Sequence, residues 1–266
     1  MPLTFPSHLA PVLPLKRWRP HWFDGVALCT GAVAPDVGYL LTGTPLAVGM
    51  RTHTLGGLLW WCLPVALGYA WVLRRVVAGI AVHLPAPRLF GWHWYATLAA
   101  VRHPWQVTVC SAVLGAFTHV AWDRVTHSGR LSRLPGVADV HALTGVSWPW
   151  FANTVGGVGG GLLVAVLLVR EARREPTAPG VGSTAPEANP SVFWRVALAV
   201  TGLGALLLPA LPAAGVPGPA GVRALHLAAL ALMAAAVAAR SAAPRSAERA
   251  GRPDVDRLED EQRPAG

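Results

Sequence analysis

The sequence predicts an all-α, polytopic membrane protein with five or six transmembrane helices, and three observations predict it. First, 53% of the 266 residues are hydrophobic and only 13% are charged, about half the charged fraction of an ordinary soluble domain. Second, the apolar residues gather into segments close to the roughly 20 residues that a spanning helix needs. Third, twelve tryptophans accompany only three tyrosines. An indole suits a membrane interface, where it buries its ring and keeps its N–H wet.

Taken in order, residues 26–41 are the weakest span, because they contain Pro35, Asp36 and Gly38. They read either as a short span or as a helix buried against the others. Residues 55–73 end at Arg74-Arg75, and residues 107–122 lie between Arg102 and Arg124. Residues 151–169 end at Arg170, residues 196–214 follow Arg195, and the Ala-rich residues 222–239 end at Arg240. The expected organisation is a membrane helical core over 1–170, a Pro/Gly/Ala/Thr-rich linker over 171–190, a two-helix membrane unit over 191–240 and a charged tail over 241–266. The three cysteines (Cys29, Cys62, Cys110) lie in apolar runs without a CxxC pair and read as small buried hydrophobes. Four prolines precede the first basic cluster, so no ordinary signal peptide is expected.

A net charge of +9 raises the question of nucleic acid. The basic residues, however, sit in short clusters between apolar stretches, which is how membrane proteins set their orientation, so no nucleic-acid partner is expected. Arg74, Arg75, Arg88, Arg102, Arg170, Arg173, Arg174, Arg195 and the six arginines from Arg240 onward fall on one side. Arg51, Arg124, Arg130, Arg133 and Arg223 fall on the other. The richer side, with the C-terminus, is expected in the cytoplasm. The side of Lys16, Arg17 and Arg19 depends on whether residues 26–41 span.

The sharpest chemical feature is GAFTHVAWDRVTH, residues 115–127. It sets His119, Asp123 and His127 at successive i, i+4 positions, hence on one helix face. Imidazole and carboxylate one turn apart suit a shared metal ion. Ionisable groups closing an apolar helix are costly and are usually kept for function. Asp36 in Ala34-Pro35-Asp36 and His53 in Arg51-Thr52-His53-Thr54 fall on the same expected side. Together with His119 and Asp123 they make a first shell for Zn²⁺, Mn²⁺ or Fe²⁺. His8 adds a further ligand if residues 26–41 do not span.

Each residue also has a structural reading. Asp36 after Pro35 caps a helix starting at Val37, His53 sits at the interface end of the next helix, and His119 with Asp123 locks helix packing. His127 is a helix C-terminal cation or a ligand. His21, His83, His93, His103, His141 and His226 have no partner pattern and read as interfacial or solvated. VGGVGGG, residues 155–161, lacks the Lys-Ser/Thr ending of a phosphate loop and reads as close helix packing.

MPLTFPSHLAPVLPL, GAVAPDVGYL, RTHTLGGLL and GAFTHVAWDRVTH, in that order over roughly residues 1–240, resemble the bacterial membrane proteins grouped as domain of unknown function 4184. More distantly the pattern is similar to inner-membrane metal-dependent hydrolases and to the zinc-dependent phospholipase C fold. It departs from the hydrolases in having a lone histidine, His53, in the third motif, and from the phospholipases in having no later core Glu. The resemblance implies His8, Asp36, His53, His119 and Asp123 as ligands of a divalent metal, zinc foremost; His127 or His8 is then expected as the catalytic general base or as a further ligand. It also implies a multi-pass protein of the bacterial cytoplasmic membrane that hydrolyses a lipid or phosphoester at the outer face. The alternative is a non-enzymatic membrane protein whose His/Asp cluster is structural or binds a partner.

Overall fold

The computed structural model describes residues 7–85, 91–127, 133–173 and 189–242. Most of the expected linker and almost all of the expected tail lie outside the described residues. Within them the chain is all-α. Four helices are long and apolar enough to cross a membrane: Leu55–Ala81, Trp148–Glu171, Pro190–Ala210 and Pro217–Ser241. The second and third keep only 11% of their most apolar windows buried. Apolar faces turned outward to that extent call for a hydrocarbon surround, since in water they would form large exposed patches.

Two of the expected spans differ. Residues 26–41 do not form one helix: Gly25–Val33 is a nine-residue α-helix, and Asp36–Leu41 is a separate 3-10 helix. Pro35 supplies the break: it has no N–H to continue the α-helical ladder, and the bonds around it, Ala34 N–H to Gly31 and Val37 N–H to Ala34, are of the tighter 3-10 kind. Trp105–His127 is a single 23-residue helix, long enough to cross. It is not among the four apolar helices, because Thr108, Ser111, His119 and Asp123 interrupt its hydropathy.

These two elements form the centre of the fold. The Gly25–Val33 helix packs along Trp105–His127, and glycine lets the backbones touch. A Cβ on Gly31 would overlap the Ala112 carbonyl, and one on Gly115 would overlap the Leu28 carbonyl. Around them Ala27, Ala34, Cys62, Ala66, Ala112 and Ala116 make a core of small side chains, the usual means of close approach between membrane helices. The Leu55–Ala81 helix completes this core. Its turn at Leu58–Cys62 is a π-helix just before Pro64, a widening that keeps the proline ring clear of the preceding carbonyl.

The two C-terminal helices pair with each other and lean on the first long helix, with Phe193, Ala197, Ala235 and Ala236 packed around Ile80. Here the histidine expectations need correcting. His83 is buried and stacks on Phe193 at 4.5 Å; its Nδ1–H donates to the Gly79 carbonyl at 2.7 Å, and its Nε2 accepts from the Asn189 N–H at 2.9 Å. His226 faces the Tyr69 hydroxyl at 2.8 Å. Their side-chain partners, Phe193 and Tyr69, lie more than 100 residues away, which is why no local pattern exposes them. Lys16 and Arg17 sit at the same end of the bundle as Arg74 and Glu171: Lys16 Nζ donates to the Phe23 carbonyl beside Asp24, and Arg17 lies 3.9 Å from Glu171.

Candidate functional site

Four separate elements meet at the other end. His8 comes from the turn ahead of the Val12–Trp18 helix, and Asp36 opens the 3-10 helix after Pro35. His53 closes the Gly49–His53 turn, and His119 and Asp123 stand on successive turns of Trp105–His127. His8, Asp36 and His119 offer ligand atoms within 4.8 Å of one another, and so do His53, His119 and Asp123. The ring nitrogens of His53 lie 3.3 Å from Asp36 and 3.5 Å from Asp123. Those of His119 lie 3.5 Å from Asp36 and 3.4 Å from Asp123, and His8 Nε2 lies 3.7 Å from Asp123. All five predicted ligand residues therefore share one cluster, and His8 stacks on His119 at 3.7 Å.

Local interactions aim each group. The Asp36 carboxylate does not cap the helix that follows it; the cap position is Pro35, and the carboxylate turns into the cluster. The Trp61 indole donates to the Ala34 carbonyl at 3.1 Å and pins that turn. The Thr52 hydroxyl lies 2.9 Å from His53 Nδ1. His119 Nδ1 donates to the Ala32 carbonyl at 2.7 Å, a bond made possible by the glycine-mediated contact of the two helices. Such outer contacts fix ring orientation and tautomer in metal sites. His8 is seated by the glycine run: Gly160 carries no Cβ, and one there would stand 2.6 Å from that of Ser7. VGGVGGG thus serves close packing, and the surface it packs against carries His8.

The cluster is nearly closed. The His119 side chain is fully buried and that of Asp123 is 20% exposed, so access runs past Asp123. His127 is at this rim, 43% exposed, with Nδ1 3.8 Å from Asp123 Oδ1 and bonded to the Asp123 backbone carbonyl. Tyr39, which the sequence motifs did not single out, is half-buried with its ring 6.3 Å from that of His53. In a 3-10 helix residues three apart eclipse, which puts Tyr39 over Asp36. Burial, with the nearby charges of Asp36 and Asp123, pushes its phenol above the ordinary value.

Charge is unbalanced here. Among the described residues no lysine or arginine lies within 4.0 Å of Asp36 or Asp123. Burial alone would raise the Asp36 carboxyl, yet the facing imidazoles of His119 and His53 hold it well below the usual carboxylate range. Burial, reinforced by His119, pushes His8 down to about 4, which leaves a neutral ring with a lone pair. The buried His119 Nε2 and His8 Nδ1 make no hydrogen bond.

No curated protein and no solved structure matches the chain, so the more distant likeness to hydrolases and phospholipases rests on the motif residues alone. The model of the family described as domain of unknown function DUF4184 matches residues 1–243, and it covers every element that contributes to the cluster; the chain belongs to that family.

Proposed function

We propose that the chain is a membrane-embedded, metal-dependent hydrolase whose ion is held by His8, Asp36, His53, His119 and Asp123. The observation that carries this reading is the buried Nε2 of His119. Its Nδ1 donates to a carbonyl, so in the neutral ring Nε2 bears a lone pair, and that lone pair faces two carboxylates. A bound cation, or a second proton on the ring, makes the arrangement favourable.

Spacing supports a metal as that cation. Ligand atoms about 2.1 Å from one ion stand roughly 3.0–3.5 Å apart. The imidazole–carboxylate separations of 3.3–3.7 Å match this better than the ~2.7–2.9 Å of a charge-assisted hydrogen bond. Three imidazoles and two carboxylates suit zinc first, then Mn²⁺ or Fe²⁺. One nitrogen lone pair serves one ion, so the sharing of His119 between both triads favours a single centre. A divalent ion there supplies polarisation of a phosphoryl or acyl oxygen and acidification of a water.

The chain's own residues take the remaining roles. His127, at the open rim, accepts a proton, and Tyr39, kept protonated, donates a hydrogen bond to an anionic oxygen of the substrate. A lipid or lipid-linked phosphoester is the substrate class, because it reaches a site among apolar helices from the bilayer plane. The basic residues crowd the opposite end, and positive-inside bias then turns the cluster outward from the cytoplasm.

The competing reading is a buried ion-pair network that only locks the helices. His119, doubly protonated between two nearly equidistant carboxylates, favours it. Metal analysis of the purified protein beside a His119→Ala, Asp123→Ala double variant decides between them. The metal reading expects near-stoichiometric metal in the first and background in the second; equal content in both would sink it. Stoichiometric metal with no turnover of phospholipid or phosphodiester would keep the centre and remove the hydrolase.

A further inference from the structure

The N-terminal hairpin has two ends, and only one of them belongs to the cluster. From His8 the chain runs through Val12–Trp18, turns over residues 19–24 and returns through Gly25–Val33 to Asp36. Lys16 closes the turn, its Nζ donating to the Pro20 and Phe23 carbonyls at 2.7 and 2.8 Å. Asp24 ends the turn and pairs with Arg74, which fixes the depth of the tip. Arg74 stands nineteen residues beyond Leu55 on a helix long enough to cross a membrane, about 28 Å along it. That is close to the full thickness of a hydrocarbon core. The tip therefore lies at the membrane–water boundary opposite the cluster. Arg75, over the exposed Trp71 ring at 3.9 Å, marks the same level.

Most cations around this tip are already engaged. Lys16 is bound to carbonyls, Arg74 to Asp24, and Arg17 lies 3.9 Å from Glu171. Arg19 is different. Its guanidinium stands over both Trp18 and Trp22, 5.0 and 5.4 Å from the ring centres, and those indoles are 69% and 70% exposed. Among the described residues no carboxylate lies within 4.0 Å of it, and no hydrogen bond uses its N–H groups. Cation–π contact holds the guanidinium in place without consuming its five donors. A free guanidinium suits a phosphate, which it meets with two parallel hydrogen bonds. Exposed indoles at a membrane boundary suit the region just below the headgroups. Depth thus selects a lipid over a soluble polyanion, and the uncompensated charge selects an anionic one.

We infer that this tip binds the headgroup of an anionic phospholipid in the leaflet opposite the cluster, with Arg19 against the phosphate and the two indoles beside it. The inference is independent of the metal centre. Full-length protein is purified in detergent, and lipid retained from equimolar phosphatidylglycerol/phosphatidylcholine micelles is read by native mass spectrometry. Arg19→Gln removes the free charge and breaks no hydrogen bond or ion pair among the described residues, so it should fold as the wild type does. Trp18→Leu combined with Trp22→Leu keeps every charge and removes the aromatic flanks. Arg195→Gln is the control. It takes the same charge from an exposed arginine on the same side, on the helix whose start meets His83. Selective retention of phosphatidylglycerol by the wild type, weakened about tenfold in Arg19→Gln, weakened also in the tryptophan variant and kept in Arg195→Gln, establishes the site. No preference for phosphatidylglycerol in the wild type, wild-type retention by either tip variant, or equal losses in Arg19→Gln and Arg195→Gln overturns the inference.

Discussion

The Gly25–Val33 and Trp105–His127 helices carry a polar cluster at each end of their shared interface, and the two ends treat charge in opposite ways. At one end Asp24, only 1% exposed, caps the shorter helix through the Ala27 N–H at 3.2 Å. It accepts from Arg74 at 2.5 and 2.6 Å and from the Thr108 hydroxyl at 2.7 Å, while its own N–H donates to Ser111 at 2.9 Å. Carboxylate and guanidinium balance. Eleven residues beyond Thr108, about 16 Å along the helix, His119 faces Asp36 and Asp123 at separations too long for good hydrogen bonds, with no arginine or lysine beside them among the described residues. One cluster contains a guanidinium; among the described residues the other has only imidazoles to face its carboxylates. On the metal reading, the second cluster is a place for an exchangeable cation where the first has a fixed guanidinium.

The largest test of that contrast is Arg74→Ala. It leaves Asp24 buried and unpaired, and should cost about 3–5 kcal/mol by denaturant unfolding in detergent micelles. Metal content per folded molecule should stay unchanged; a loss of metal would mean that the two ends are not separate in role. Next is Gly115→Ala, which pushes the helices apart where Leu28 and Gly115 touch and shifts the Ala32 carbonyl from His119. About 1–3 kcal/mol of destabilisation is expected, here with weakened metal binding, measured by competition with a chromogenic chelator.

A smaller effect concerns acid. Burial would raise the Asp24 carboxyl, but the Thr108 hydroxyl, the Ala27 N–H and Arg74 outweigh it and hold the group below its ordinary value. A carboxyl depressed in the folded state stabilises fully above its unfolded pKa, near 4, and loses that contribution as pH falls through the folded one. The stability gap between wild type and Asp24→Asn should therefore be constant above about pH 5 and close below pH 4; a gap that widens in acid contradicts the assignment. Smallest of all, His127→Ala at the exposed rim should alter metal affinity by less than about twofold, read in the same chelator competition.

Much of the candidate site was legible because its signals are local. His119 and Asp123 share a face by spacing alone, and Pro35 and Thr54 mark the turns that deliver Asp36 and His53. Long-range features were not legible. Arg74 reads in sequence as one of a basic pair flanking a span, yet it pairs with an aspartate 50 positions earlier. Arg223 reads as an orienting charge and turns out to be buried against carbonyls over 180 residues away. The supports of His119 and His53 are a backbone carbonyl and a threonine, groups too common for any pattern to single out. The fifth and sixth expected spans are not among the four apolar helices, for related reasons. Polar side chains that serve the interior lower the apparent hydropathy of Trp105–His127, and Pro35 divides what composition would join.

The seat of His8 has a consequence for assembly. His8 is made before the rest of the cluster, yet it rests on His119, and its neighbour Ser7 packs against Gly160, both made much later. Its pocket has no floor until the helix bearing His119 has entered, and no roof until the glycine-rich helix follows. The ribosome therefore releases the earliest residue of the cluster before its place exists. The turn that carries His8 can take its final seat only after the helices bearing His119 and Gly160 are in place.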